Sequence, residues 1–105
     1  MTIMSNMQIK LREGTRPQAV EAFLKRGIFD ECAATIPGFL WARLLEVEGA
    51  PDHLSVISVW TDKAAFDAWV IHPVRDRQEA DLAHFLAEAP QTQLYTTKAV
   101  FERNS

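Results

Sequence analysis

Apolar and polar positions alternate at the start of the chain: Ile3, Met7, Ile9 and Leu11 share one parity, and Asn6, Gln8 and Lys10 the other. A period of two marks a half-buried strand. The period then changes. Val20, Phe23, Leu24, Gly27, Ile28 and Cys32 recur at steps of three and four, which predicts one long helix over about 16–35. Thr15 with Gln18 three residues on resembles a capping box, Pro17 suits a first turn, and Pro37-Gly38 stops the helix. Two runs rich in Leu, Val, Ile and Trp follow, 39–48 and 53–60, separated by the turn-forming Gly49-Ala50-Pro51-Asp52. They predict a hairpin. Thr61 or Asp62 is placed to cap a short helix with the stripe Ala65, Phe66, Trp69 and Val70, which His72-Pro73 interrupts. A further helical segment over about 73–89 sets Val74, Gln78, Leu82 and Phe85 on one face and ends at Pro90, and a last strand is expected over 93–102.

The order strand, helix, strand, strand, helix pair, strand is the split βαβ, ferredoxin-like arrangement of an α+β domain, βαββαβ. Right-handed crossovers put all the helices on one face of an antiparallel sheet and leave the other face open. In the second strand Phe39, Trp41, Leu45 and Val47 share one parity and Leu40, Ala42 and Leu44 the other, so neither face is mainly polar. Two apolar faces require two cores. For so small a chain the economical second core is the same sheet of another copy, which predicts a homodimer.

Composition narrows the partners and the compartment. The 105 residues suit one domain spanning 1–105. Eleven Lys and Arg interspersed with 14 Asp and Glu give a net charge of −3, which offers no basic field to collect nucleic acid or a membrane surface. No run approaches the ~20 apolar residues of a membrane span, and residues 1–6 carry neither a basic nor an apolar leader region. The single cysteine, Cys32, forms no internal disulfide and no thiolate cluster. The expectation is a soluble, cytoplasmic protein.

The stretch Ile36-Pro37-Gly38-Phe39-Leu40, followed by Val59-Trp60-Thr61-Asp62-Lys63-Ala64-Ala65-Phe66-Asp67-Ala68-Trp69, resembles the antibiotic biosynthesis monooxygenase domains. In those domains a Pro-Gly-Phe opening the second strand precedes a Trp and, six residues on, a Phe that join the third strand to the next helix. The likeness covers about 7–101. It implies a dimeric α+β barrel with a pocket between sheet and helices, in which members oxidise aromatic or polyketide-like substrates without metal or flavin. A branch of similar domains degrades haem with a strand Asn, a helix Trp and a His ligand nine or ten residues after that Trp. Trp69 matches the helix Trp, but the ligand position falls on Gln78 or Glu79 and the strand position on Met7, with Asn6 one residue off and on the opposite face. Haem binding or degradation, or carriage of a ligand by a non-enzymatic dimer, is therefore the alternative to a cofactor-independent monooxygenase acting on a small aromatic, quinone-like or polyketide-like metabolite.

For that chemistry the protein must supply a base, an apolar pocket and partners for oxygen atoms. The candidate catalytic residues are His72, whose ordinary pKa lies near neutrality, Gln78, a polar group on an apolar helix face, and Asn6. The candidate substrate contacts are Trp69, Phe66, Met7 and Arg43. Each has a plainer reading. Trp69 and Phe66 fit a core stripe, His72 a helix end, and Gln78 a bridge to backbone; Cys32 fits a small buried hydrophobe. His53 and His84 fit solvated surface, and no histidine pair has metal-ligand spacing, so no metal is expected.

Overall fold

The computed structural model describes residues 1–104, and its first strand, β1 (Ile3–Lys10), has the predicted period of two. Ser5 and Ile9 are buried, while Gln8 and Lys10 are exposed. The hairpin strands are β2 (Phe39–Glu46) and β3 (His53–Trp60), and the last strand is β4 (Gln91–Thr96). They form one antiparallel sheet in the order β2-β3-β1-β4. The final strand is shorter than the sequence predicts. It stops at Thr96, and the chain beyond it carries Val100 and Phe101 almost fully exposed.

The predicted long helix is two. α1 (Arg16–Arg26) and α2 (Ile28–Thr35) meet at Gly27, whose φ of 68° lies in the left-handed region and ends the first helix. Glycine adopts that conformation at no steric cost. The apolar spacing runs through Gly27 undisturbed, which is why periodicity alone joins the two. After β3 come α3 (Lys63–Val70) and α4 (Pro73–Leu82). Asp62 caps α3, its carboxylate accepting the Ala65 N–H at 2.9 Å. The segment expected to stay helical to residue 89 tightens into a 3₁₀ turn, Ala83–Phe85, and Leu86 then pairs with Leu11.

Cross-strand partners share a face, so the register sorts the sheet. Ser5, Met7 and Ile9 pair with Ser58, Val56 and Leu54 on the helix side. On the other side Trp41, Val59, Met4 and Tyr95 form one row across the four strands, and Arg43, Ile57, Asn6 and Gln93 the next. A bulge at Leu40 corrects the parity of β2: Phe39 opposes Trp60 on the helix side, whereas Trp41 opposes Val59 on the open side. One extra residue turns two same-parity aromatics to opposite faces.

Gly38 explains the Pro-Gly-Phe motif. Its carbonyl accepts the Thr61 N–H at 2.8 Å, and a Cβ there would lie 2.5 Å from Ala65 Cβ and 2.6 Å from Thr61 Oγ1. The backbone just before β2 thus packs directly on the Thr61 and Ala65 side chains at the start of α3. Gly38→Ala should destabilise the protein by about 1–3 kcal/mol through overpacking, read as a lowered midpoint in urea unfolding. An unchanged midpoint would show that the two segments separate freely.

Candidate active-site cavity

The helices do not close completely on the sheet. Between them lies a cavity of roughly 630 Å³, within the size range of small-molecule sites. Met7 and Ser5 from β1, Val56, Ser58 and Trp60 from β3 and Phe39 from β2 make its floor. Phe23 and Phe29 close it from the first two helices, Phe66 and Trp69 from α3, and Gln78 and Leu82 from α4. Arg75, Asp76 and Glu79 also border it, on the charged side of α4.

The aromatic wall is a continuous stack. Trp60 meets Phe39 and Phe66 edge-on at 5.1 and 5.6 Å, and Trp69 lies stacked on Trp60 at 6.3 Å. Such a wall offers flat faces and positive ring edges to a planar guest. Buried polar side chains are few: among the described residues they are Ser5, Ser58 and Gln78, and all three border the cavity. Ser58 Oγ accepts the Trp60 Nε1–H at 2.9 Å.

Gln78 is held from the helix side. Its Nε2 donates to the Ile28 carbonyl at 3.2 Å and to Glu31 Oε1 at 2.9 Å. Arg26 pairs with Glu31 at 3.0 Å and with Asp81 at 2.8 Å, so one polar chain ties α4 to the junction of α1 and α2. The hydrogen bond from Gln78 and the Arg26 guanidinium hold the Glu31 carboxyl below the usual carboxylate range. Gln78 is the one buried residue of α4, and Val74 and Leu82 pack half-buried against the core. The polar chain adds to that apolar seating.

The sequence candidates divide. Trp69, Phe66, Met7 and Gln78 come together in the cavity. Asn6 does not. It lies on the open face, where its Oδ1 accepts from Ser55 Oγ at 3.1 Å. Arg43 also lies on that face, its guanidinium 4.6 Å from the Trp41 ring. His72 caps α4, with Nδ1 accepting the Val74 N–H at 3.1 Å and the ring stacked on the outer side of Trp69 at 6.4 Å. The cavity lining does not include it. Ser5 and Ser58 join Trp69, Phe66, Met7 and Gln78 in the cavity, and the sequence carries a signal for both: each is a serine at a strand position that alternates with the open-face residues.

Cys32 borders the cavity as a neutral thiol. Burial pushes its pKa up to about 12, against a smaller lowering by the Gln78 side chain beside it. A thiolate destabilised by burial makes stability intact below the ordinary thiol pKa and progressively lost as pH rises toward about 12. The rate of Cys32 alkylation by iodoacetamide, followed against pH, should therefore rise only with alkaline unfolding. A rise near the ordinary thiol pKa in the folded protein would contradict this environment.

Haem does not fit these residues. The cavity is lined by no histidine among the described residues, and the Gln78 amide nitrogen is committed to Ile28 and Glu31. Among the described residues no cluster of His, Cys, Asp and Glu suits a metal ion, and no helix is long and apolar enough to cross a membrane.

Residues 2–88 match the family model described as antibiotic biosynthesis monooxygenase. No curated protein matches the sequence. Among solved structures the chain is similar to SnoaB, a cofactor-independent oxygenase from Streptomyces nogalater, at 20% identity and a TM-score of 0.76, covering 97% of this chain and 98% of that one. It is also similar to Rv0793 from Mycobacterium tuberculosis, at 15% identity and a TM-score of 0.78, covering 97% and 100%. A conserved protein from Methanosarcina mazei Go1 shares 15% identity at a TM-score of 0.74, covering 93% and 94%. At these identities the likeness fixes the fold, which is the ferredoxin-like fold that the element order predicts.

Proposed function

Because the chain belongs to the antibiotic biosynthesis monooxygenase family, we propose that it is a cofactor-independent monooxygenase acting on a small aromatic, quinone-like or polyketide-like metabolite held between sheet and helices. The observation that carries this reading is the aromatic-walled cavity of roughly 630 Å³ with its few buried polar groups. A guest of two or three fused rings suits its walls. The description of SnoaB as a cofactor-independent oxygenase supports the same chemistry.

In such a reaction the electrons come from the substrate. An electron-rich ring passes them to dioxygen, one oxygen atom bonds to carbon, and the other leaves as water; a ring CH₂ that becomes C=O balances this without an external reductant. The residues of the cavity bind, orient and exclude water. Trp69 and Phe66 face the ring, Met7 fills the floor, and Gln78, Ser5 and Ser58 meet its oxygen atoms. His72 acts on the site through the start of α4.

The same proposal has the protein work in the cytoplasm as a homodimer joined through the open sheet face. The row Trp41, Val59, Met4 and Tyr95 is apolar from edge to edge, with Trp41 and Tyr95 still 38% and 49% exposed in the single chain. A second copy would cover it.

Oxygen consumption should be measured with a panel of quinols and polyketide phenols. Protein-dependent uptake with at least one of them, insensitive to chelators, is the expected result. No uptake with any member would remove the monooxygenase reading.

A further inference from the structure

The Gln78 amide is oriented by chemistry that leaves no choice. The Ile28 carbonyl and the Glu31 carboxylate only accept hydrogen bonds, so the group facing both must be the NH₂. Both of its protons then point to the helix side, toward Ile28, Glu31 and the Cys32 sulfur. What remains for the cavity is the carbonyl oxygen, Oε1. Gln78 is 6% exposed and lines the cavity, and among the described residues no side-chain nitrogen or oxygen is fully enclosed without a partner. Oε1 is therefore not fully enclosed, and on a residue that lines the cavity it is the polar atom left to face it. The Arg26–Asp81 and Arg26–Glu31 pairs brace the carboxylate that holds the amide, so a rotation that would present NH₂ to a guest breaks two bonds at once.

The far wall has the opposite character. Ser58 Oγ already accepts from Trp60 Nε1, which leaves its hydroxyl proton to donate, and Ser5 stands directly across the β1–β3 pair from it. The cavity therefore has a hydrogen-bond acceptor on the helix side and hydroxyl donors on the sheet floor, with apolar surface between them.

We propose that Gln78 is a specificity-determining residue: its fixed carbonyl selects aromatic guests that present a hydrogen-bond donor, a phenolic or hydroquinone O–H, and disfavours the same ring once that oxygen is methylated or oxidised to a carbonyl. This rests on the monooxygenase reading for its biological sense, because it separates a reduced substrate from a quinone product. Physically it needs only the cavity. A guest without the donor leaves Oε1 desolvated and unpaired, and a quinone sets one carbonyl oxygen against another.

The test is calorimetric binding to the full chain under nitrogen, which stops any turnover, with 1-naphthol, 1-methoxynaphthalene and 1,4-naphthoquinone as probes. The expected result is that naphthol binds about ten-fold more tightly than either of the others, the worth of one hydrogen bond in an apolar site. Gln78→Leu should bring the three affinities within about three-fold of one another, by weakening naphthol and leaving the methyl ether unchanged or tighter. Equal affinities in the unsubstituted protein, no binding of naphthol, or a preference that survives in Gln78→Leu would each overturn the assignment. The first two comparisons need no variant, so they stand even if Gln78→Leu folds poorly. Oxygen uptake without the naphthol preference would remove this inference alone, and the preference without uptake would remove the monooxygenase reading alone.

Discussion

Replacing Trp60 with alanine should lower the free energy of unfolding by about 3–5 kcal/mol, a large share of the roughly 5–15 kcal/mol available to a domain of this size. Trp60 is 2% exposed and is the largest fully buried side chain among the described residues. Three separate losses combine at this position. The indole takes away its edge contacts to Phe39 and Phe66 and its stacking on Trp69, so β2 and α3 lose a shared partner. Ser58 Oγ loses the Nε1–H it accepts and is left on the floor of the cavity. The void also merges with space that is already open, so the walls have little reason to collapse around it. Urea unfolding followed by far-ultraviolet circular dichroism would read the change in midpoint. A loss under about 1 kcal/mol would place Trp60 outside the set of residues that hold the sheet to α3. Trp60→Phe should recover part of the loss, since a ring remains while the hydrogen bond does not.

The second large effect concerns assembly. Tyr95→Asp should convert a dimer into a monomer, shifting the sedimentation mass from about twice that of one chain to that of one chain, because an unpaired carboxylate buried in an apolar interface costs several kcal/mol. Tyr95 suits the test because of where it sits. It opposes Met4 on the open face and is 49% exposed in the single chain, so the lone protomer accommodates the charge in water. The same change at Val59, at the middle of the row and 6% exposed, would unfold the protomer as well and would not separate the two outcomes. A monomeric unsubstituted protein at micromolar concentration would sink the homodimer proposal, and a Tyr95→Asp dimer would move the interface elsewhere.

Much of the fold is legible in the sequence because the governing forces are local or periodic. The span of β3 follows from its composition between a turn and a helix cap, and Asp62 does what an aspartate at that position does. Helices on one face follow from element order and chirality alone. The misreadings have a common cause in single residues whose effect is geometric. Gly27 fits an apolar stripe as well as any small residue, and only its φ breaks the helix. Leu40 adds one residue to a strand and thereby sends Phe39 to the cavity and Trp41 to the open face, although the two share a parity.

The site divides along the same line. Sequence by itself determined which residues are aromatic, that β1 alternates, and that Phe66 with Trp69 and Gln78 with Leu82 lie on single helix faces, because periodicity encodes which residues share a face; which face turns inward took the register. It could not determine what each polar group already holds. His72 reads as a base near neutral pH until its Nδ1 is seen accepting the Val74 N–H, and Gln78 reads as a generic polar group until its amide nitrogen is seen donating to Ile28 and Glu31. Those partners come from the first turn of α4, two residues away, in one case and from residues 50 and 47 positions distant in the other. Hydrogen bonds are directional and saturable, so the function left to a side chain is what remains after its partners are counted, and only the tertiary structure supplies that count.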